Sequence, residues 1–241
     1  YIDKTDLISQ TNDKIDKPDC FMCVSRPRRF GKSMAADMLT AYYSRGCKSG
    51  ELFVGRKAEK IPGFLKHLNH HNVIRLDVQR FLETKRDLDT FIVEMESAVV
   101  EELIEEFSDC SDIDLGARLK TALGKIFKKT EQGFIFVIDE WDCVFRIAKD
   151  RKEIQKEYLD FLRGLFKGAE YVELAYMTGI LPIKKYGEHS AINMFGEYSM
   201  VDAKNLSQYF GFTSEEVLGQ CRMRGVDYKE IEKWYDGYSL G

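Results

Sequence analysis

Long apolar runs, cysteines and prolines are all scarce in this chain. The longest apolar runs, residues 20–24 and 134–138, are five residues long. Spanning a bilayer takes about 20 apolar residues, so the sequence predicts no transmembrane helix. Only 6 cysteines occur in 241 residues, too few for a disulfide scaffold. With 18 glycines and 4 prolines, the composition also excludes a collagen-like or low-complexity chain.

Neither sign of charge dominates the composition. The chain has 36 basic and 40 acidic residues, a formal net charge of −4. This balance does not support a generally basic, nucleic-acid-coating surface, although it says nothing about one local groove. The first residues, Tyr1 to Asp6, are polar and lack the pattern of a secretory signal. We therefore expect a cytoplasmic protein with reduced thiols and no membrane partner.

Short apolar segments alternate with helical ones along most of the chain. This alternation predicts an α/β fold of three layers, with helices on both faces of a mostly parallel sheet. Two of the segments are continuous apolar runs, as expected for central strands. The candidate strands are Cys20–Ser25, Val73–Val78, Phe134–Asp139, Val172–Thr178 and a weaker fifth near Ala191–Phe195.

Helical periodicity and capping patterns predict the remaining organisation. Apolar residues spaced by three or four predict helices over 91–107 and 154–166, and a third over 115–128. After about residue 205 only short helices are expected, with capping boxes at Thr213–Glu216 and Asp227–Glu230 and a stop at Asp236-Gly237. We predict an α/β core over 1–204 and a small helical lid over 205–241, incomplete at its end.

A glycine-lysine-serine motif follows the first candidate strand and opens a predicted helix. In such a loop, backbone N–H groups and the helix N-terminus surround the phosphates of a nucleotide. Lys32 is expected to reach the β- and γ-phosphates, and the Ser33 hydroxyl is expected to bind Mg²⁺. The predicted nucleotide-binding residues are Arg26, Pro27, Arg28, Arg29, Phe30, Gly31, Lys32, Ser33 and Met34.

The match to the phosphate-binding loop is imperfect. Arg26 stands where the motif has its first glycine, and Pro27 stiffens the same turn. The three arginines of the loop, Arg26, Arg28 and Arg29, either add positive charge around the triphosphate, or are exposed, or contact a partner.

A second motif lies in the third candidate strand. The apolar run Phe134 to Ile138 ends in the carboxylates Asp139 and Glu140, the Walker B pattern. Asp139 is expected to hold Mg²⁺, and Glu140 to polarise the attacking water as a general base. The alternative is a core strand whose terminal acids cap the next segment.

Three weaker candidates remain. Thr178 ends a strand and is either a γ-phosphate sensor or an ordinary strand-end residue. Asp142 either assists Mg²⁺ or Glu140, or caps the following turn. The third is a histidine cluster, which either binds a transition metal or, as we favour in the absence of an acidic partner nearby, is simply exposed. It comprises His67, His70 and His71.

Taken together, motifs along nearly the whole chain resemble the bacterial predicted AAA-ATPase-like domain family. They are Tyr1-Ile-Asp-Lys-Thr5, Ser25-Arg-Pro-Arg-Arg-Phe-Gly-Lys-Ser33, Ala41-Tyr-Tyr43, Glu51-Leu-Phe53, Asp139-Glu-Trp-Asp142, Thr178-Gly-Ile-Leu181, Phe210-Gly-Phe-Thr213 and Trp234-Tyr-Asp-Gly-Tyr238. The resemblance implies an additional-strand P-loop ATPase fold with strand order 5-1-4-3-2 and a helical lid. It also implies that an arginine is usual at the first-glycine position and that residues 1–5 lie near the nucleotide base.

Members of this family often carry a C-terminal nuclease-like domain of the PD-(D/E)XK type. Because the chain stops at Gly241, we expect that domain to be missing from it. The leading hypothesis is a Mg²⁺-dependent ATPase module that drives or regulates such an effector. The alternatives are a nucleotide-binding switch with little turnover, a small-molecule phosphotransferase, and nucleic-acid binding by the loop arginines. An oligomer is compatible with each of them.

Overall fold

The computed structural model describes residues 2–84, 87–110, 112–183 and 192–235. Parts of several sequence predictions fall outside these ranges. They are Tyr1 of the base-proximal segment, Ala191 of the fifth candidate strand, the helix stop at Asp236-Gly237, and the end of the motif that runs from Trp234 to Tyr238.

A single five-stranded parallel sheet forms the middle layer. Its order is β2-β3-β4-β1-β5, which is the predicted order taken from the opposite edge. Every strand pairing in it is parallel. The strands are β1 (Phe21–Ser25), β2 (Asn72–Asp77), β3 (Phe134–Asp139), β4 (Val172–Gly179) and β5 (Gly196–Tyr198).

The position of each strand in the sheet follows from its sequence. β3 is apolar throughout up to its last residue, and all of its residues are buried. β2 alternates buried and partly buried residues, as expected for a strand at the edge of a sheet. Parallel pairing brings the carboxyl ends of β1, β3 and β4 to one edge, so the loops that follow them meet there.

The prediction for the fifth strand was wrong in position. β5 is Gly196–Tyr198, directly after the segment predicted to form it. The residues before it form a turn, in which the Phe195 N–H bonds the Ile192 carbonyl at 3.3 Å. Both side chains are buried in this turn, so their apolar character does not report an extended strand.

Helices cover both faces of the sheet. On one face, Phe134, Phe136 and Ile138 of β3 lie in a cluster with helix residues such as Phe91 and Tyr158. On the other, Ile135 and Val137 lie in a second cluster. The helices are α1 (Leu7–Asn12), α2 (Lys32–Tyr43), α3 (Phe64–His67), α4 (Val78–Thr84), α5 (Phe91–Glu106), α6 (Leu119–Thr130), α7 (Cys143–Ile147), α8 (Lys152–Phe166), α9 (Ser214–Arg224) and α10 (Tyr228–Tyr235).

Two of the three helices predicted from apolar spacing were placed well, and the third was misplaced at its start. α5 and α8 lie where the apolar spacing predicts them. α6 begins at Leu119 rather than Leu115, because residues before it form a turn in which the Ala117 N–H bonds the Asp114 carbonyl at 2.9 Å. Leu115 is 65% exposed, so it does not belong to the buried stripe of the helix.

In the described residues after 205, helices are the only regular secondary structure. A 3-10 helix, Lys204–Tyr209, comes first, and Leu206 and Phe210 pack into the second cluster. α9 carries the predicted capping box between Thr213 and Glu216. At the start of α10, the Asp227 carboxylate accepts from the Lys229 N–H at 3.0 Å. A division of the chain at residue 204 stays a prediction.

The cysteines are free thiols, five of them buried. Burial raises the pKa of the Cys20 and Cys143 thiols to about 11, which keeps them protonated near neutral pH. Across the part of the chain that the structure describes, no helix has the length and apolarity to cross a membrane.

Candidate nucleotide site

The loop between β1 and α2 has the backbone shape of an anion cradle. Arg29 and Gly31 adopt left-handed conformations with φ of 70° and 81°. Gly31 is the N-cap of α2, so the first N–H groups of that helix open onto the loop. A Cβ at Gly31 would meet no atom within 4 Å, so the backbone conformation rather than space requires glycine there. Backbone N–H groups arranged in this way favour an anion.

Lys32 lies inside this loop. Its side chain is buried, and Nζ donates to the Pro27 carbonyl at 3.1 Å. Nζ also lies 3.9 Å from Oε1 of Glu140. Burial lowers the pKa of Lys32, while Glu140 and Asp139 act in the opposite direction. The cation therefore faces both the loop and the end of β3.

Arg26 is fully buried and points away from the loop interior. Its Nη1 donates to the carbonyls of Ser25 at 2.9 Å and Tyr198 at 2.6 Å. The guanidinium carbon lies 5.4 Å from the centre of the Phe210 ring. Arg26 is absent from the described residues that have positive φ, so glycine is not required at this position. The side chain ties β1 to β5 and to the segment before α9.

The rest of the loop faces a cavity of about 730 Å³ between α2 and α9. Among the described residues, Arg26 and Pro27 do not line it, although they were predicted to bind nucleotide. Arg28, Arg29 and Met34 are exposed around it. The lining residues are Ile2, Lys4, Leu7, Arg28, Arg29, Phe30, Gly31, Lys32, Ser33, Met34, Ala35, Met38, Glu140, Tyr209, Gly211, Phe212, Gln220 and Arg224.

Asp139 ends β3 and is 2% exposed. Its Oδ1 accepts from the Thr178 hydroxyl and, at 3.1 Å, from the Glu140 N–H. Its Oδ2 lies 3.4 Å from Nη2 of Arg75 on the edge strand β2. The carboxylate is thus held by the neighbouring strands on both sides. Thr178 is fully buried beneath it, and its predicted role as a γ-phosphate sensor stays a prediction.

Glu140 turns away from the strand direction. Its φ is 52°, a left-handed conformation that aims the side chain toward Lys32. Oε1 faces Lys32 at 3.9 Å, and Oε2 pairs with Nη2 of Arg146 on α7. Burial raises the pKa of Glu140, and the two cations oppose that rise. A raised pKa suits a carboxylate to act as a general base, because the best pKa for a base lies near the working pH.

Asp142 braces the turn that follows β4. Its carboxylate is fully buried and accepts from the N–H groups of Ile180 at 3.2 Å and Leu181 at 2.9 Å. A Cβ at Gly179 would lie 2.7 Å from Asp142 Oδ1, so only glycine fits beside it. Asp142 therefore joins the segment after β3 to the segment after β4, and its predicted roles stay predictions.

A second cavity, of about 1020 Å³, adjoins the first on the side of β2. Ser33 lines both cavities and stands between them. Asp139 and Arg75 line the second one, and Arg75 also pairs with Asp37 at 3.0 Å. The predicted metal ligands, Ser33 and Asp139, thus border one common space.

Sequence reasoning missed three cationic residues at the site. Arg75 reaches Asp139, Arg146 pairs with Glu140, and Arg224 of α9 lines the first cavity. Arg75 is at the site because of the pairing of β2 with β3, and Arg146 because of a helix of five residues. Neither feature has a signal in the local sequence.

The prediction that the histidine cluster is simply exposed was wrong for two of its three residues. His71 pairs with Glu173 of β4 at 2.6 Å, so an acidic partner is present after all. His67 and His71 are only partly exposed, and Nδ1 of His67 lies 2.9 Å from Nε2 of His71. In the residues that the structure describes, no group of three or more His, Cys, Asp or Glu could hold a metal ion. The two rings instead connect α3 to the sheet.

Fold and site together define a P-loop nucleotide-binding protein of the three-layer, additional-strand type. The chain belongs to the predicted AAA-ATPase family, whose family model matches residues 1–187.

Two further proteins are similar to it. An "uncharacterized protein in vnfD 5′ region" of Azotobacter chroococcum mcd 1 is 26% identical over 251 residues, covering 99% of this chain and 45% of that protein. The Walker-type ATPase PABY2304 of Pyrococcus abyssi has a TM-score of 0.47 at 15% identity, covering 98% of this chain and 63% of that one. The chain thus spans less than half the length of this curated relative.

Proposed function

We propose that this chain is a Mg²⁺-dependent ATPase module. The observation that carries the proposal is the convergence of Lys32, Ser33, Asp139 and Glu140 on adjoining cavities, with Lys32 Nζ and Glu140 Oε1 3.9 Å apart. A phosphate-binding cation, an exposed hydroxyl and two carboxylates are the groups that nucleoside-triphosphate hydrolysis needs. The family to which the chain belongs supports the same chemistry.

The triphosphate would bind in the loop before α2. The N–H groups at the start of α2 and the left-handed residues Arg29 and Gly31 provide donors for its oxygens. Lys32 would exchange the Pro27 carbonyl for phosphate oxygens, which are stronger partners for an ammonium group. Exposed Arg28 and Arg29 add positive charge at the same mouth.

The donor set near Ser33 suits magnesium. Mg²⁺ prefers oxygen ligands and is usually bound by one or two carboxylates together with substrate phosphates. The Ser33 hydroxyl and the Asp139 carboxylate border one space, and both offer oxygen. Once bound, the ion would neutralise charge that develops on the phosphates. Thr178 and Arg75 would hold Asp139 in place for it.

Glu140 would act as the general base. Its side chain is 17% exposed and lines the first cavity together with Lys32. Oε1, the oxygen near Lys32, would accept the proton of the attacking water. Glu140 directly follows Asp139, which favours water over a bound small-molecule acceptor as the nucleophile.

Coupling to an attached effector is part of the proposal. Gly211, just before α9, donates its N–H to the Phe30 carbonyl of the loop at 3.0 Å. Arg224 and Gln220 of α9 line the same cavity as Lys32. A change at the phosphates would therefore move the lid. The longer curated relative leaves room for an effector domain, for which we propose the nuclease-like type.

A nucleotide-binding switch with little turnover is the second candidate. It is favoured by the ion pairs of Asp139 with Arg75 and of Glu140 with Arg146, because each would have to adjust before catalysis. It predicts tight binding of MgATP without release of phosphate.

Substitution of Lys32 tests whether the loop binds ATP. We expect Lys32→Ala to weaken ATP affinity by about 10- to 100-fold, because a charge-assisted hydrogen bond to phosphate is lost. Calorimetric titration with and without Mg²⁺ measures this, together with phosphate release. The matched control is Lys120→Ala, an exposed lysine of α6.

Equal loss of affinity in both variants would contradict the assignment, as would full affinity in Lys32→Ala. Binding by the wild type without any phosphate release would support the switch instead.

A further inference from the structure

The two carboxylate oxygens of Glu140 have different surroundings. Oε2 pairs with Nη2 of Arg146, whereas Oε1 lies 3.9 Å from Lys32. Of these two cations, Lys32 lines the first cavity together with Glu140. Arg146 is absent from the described residues that line this cavity, so Arg146 contacts Glu140 on the side away from the cavity.

Arg146 is itself held in place. Its Nε lies 3.4 Å from Oδ2 of Asp142, which is fully buried. Asp142 is in turn fixed by the N–H groups of Ile180 and Leu181 after β4. α7 anchors the backbone of Arg146, because Val144 and Phe145, the two residues that precede it in the helix, are buried. A chain of contacts therefore runs from the end of β4 through Asp142 and Arg146 to Glu140.

We infer that Arg146 is a positioning residue for Glu140: it fixes one carboxylate oxygen and leaves the other aimed at the phosphate cavity. The inference rests on the proposed function, in which Glu140 is the base. A base must hold its accepting atom within hydrogen-bond reach of the water, and a displacement of about 1 Å can cost about 100-fold in rate. Glu140 has a left-handed backbone conformation. Among the described residues, its carboxylate forms ion pairs with Lys32 and Arg146. Because Lys32 would turn to the phosphates, Arg146 is the partner that would remain.

The test compares Arg146→Gln and Arg146→Lys with Arg163→Gln, an exposed arginine of α8 that serves as the matched control. We expect Arg146→Gln to lower kcat by about 10- to 100-fold while MgATP affinity changes less than about twofold. Arg146→Lys keeps a positive charge and is expected to recover part of the rate. Thermal unfolding of each variant checks that it is folded.

A second arm places Arg146→Gln in a Glu140→Gln background and measures single-turnover phosphate release. If Arg146 acts through Glu140, the second substitution causes no further loss. A loss of the same size in both backgrounds would overturn the inference and indicate a general structural role.

Wild-type kcat in Arg146→Gln would also overturn it. If Arg146→Gln does not fold, Arg146→Lys decides, and an undiminished kcat in that variant would be contrary to the inference. If the wild type itself releases no phosphate, the proposed function fails first and the inference with it. If the wild type releases phosphate and the Arg146 variants have the same kcat, the inference about Arg146 fails while the proposed function stands.

Discussion

At the scale of single residues, acidic and basic side chains are balanced around the end of β3. Three carboxylates, Asp139, Glu140 and Asp142, face three cations, Arg75, Lys32 and Arg146. Buried charges of one sign are costly, and this pairing offsets that cost. A triphosphate adds negative charge, so its binding must redistribute these contacts. Lys32 is the cation placed to move, because its present hydrogen-bond acceptor is a neutral carbonyl.

His67 gives a residue-scale prediction for stability. Burial, and then the nearby His71 and Lys66, lower its pKa from 6.5 to about 4. The unfolded chain therefore binds more protons than the folded one between these values, and the free energy of unfolding falls as pH drops through this window. We expect His67→Gln to lose less stability than the wild type between pH 7.5 and pH 5 in urea titrations.

His70, which is exposed in the same segment, provides the control. His70→Gln should keep the wild-type pH dependence. A His67→Gln protein whose stability falls as steeply as that of the wild type would show that His67 is not responsible.

The sequence was enough to predict that Lys32, Ser33, Asp139 and Glu140 lie close together, but not which residues contact them. Lys32, Ser33, Asp139 and Glu140 lie at strand ends or helix starts, where short motifs determine position. Glu173, Arg75 and Arg146 reach their partners through sheet register or a short helix. Those contacts depend on tertiary packing, which no local pattern encodes.

At the scale of elements, the same distinction separates the predicted helices and strands. α5, α8 and β3 have long, regular apolar patterns and were predicted with little error. β5 has three residues, so its position depends on pairing with β1 rather than on its own pattern. The start of α6 was misplaced because Leu115, although apolar, is exposed in a turn.

The capping box of α9 carries the element-scale prediction. The Glu216 N–H donates to the Thr213 hydroxyl at 3.3 Å, and the Thr213 N–H donates to the Glu216 carboxylate at 2.8 Å. Loss of an N-cap costs about 1 kcal/mol. We expect Thr213→Ala to speed amide hydrogen exchange in α9 by about fivefold, which is the same free energy expressed as a rate.

Thr213→Ser keeps the hydroxyl and should exchange like the wild type. Equal protection in Thr213→Ala and Thr213→Ser would mean that the hydroxyl does not stabilise α9.

At the scale of the whole molecule, distant parts of the chain enclose the nucleotide site. Lys4, near the start of the chain, pairs with the Glu216 carboxylate and donates to the Gln208 carbonyl. Burial acts to raise the pKa of Glu216, but hydrogen bonds from Lys4 and Thr213 outweigh burial and lower it, so the Glu216 carboxylate stays charged near neutral pH. The N-terminal segment and the segment around α9 therefore line the cavity together and are held to each other by this pair.

This enclosure explains why the motifs are dispersed. Ile2 and Lys4, the loop before α2, and Phe212 and Arg224 all line one cavity, although they lie far apart in sequence. The cavity stays open to solvent at the exposed Arg28, Arg29 and Met34, so a nucleotide can enter it there. In the proposed function, a lid held by the nucleotide would transmit the nucleotide's state to an attached effector.

Single-turnover phosphate release from MgATP, compared between the wild type and Glu140→Gln, tests whether the chain hydrolyses ATP with Glu140 as the general base. We expect release by the wild type and by Glu157→Gln, an exposed control on α8. We expect at least about 100-fold slower release by Glu140→Gln, with ATP affinity retained, because only the general base is lost. Undiminished release by Glu140→Gln, or none by the wild type, would contradict this proposal.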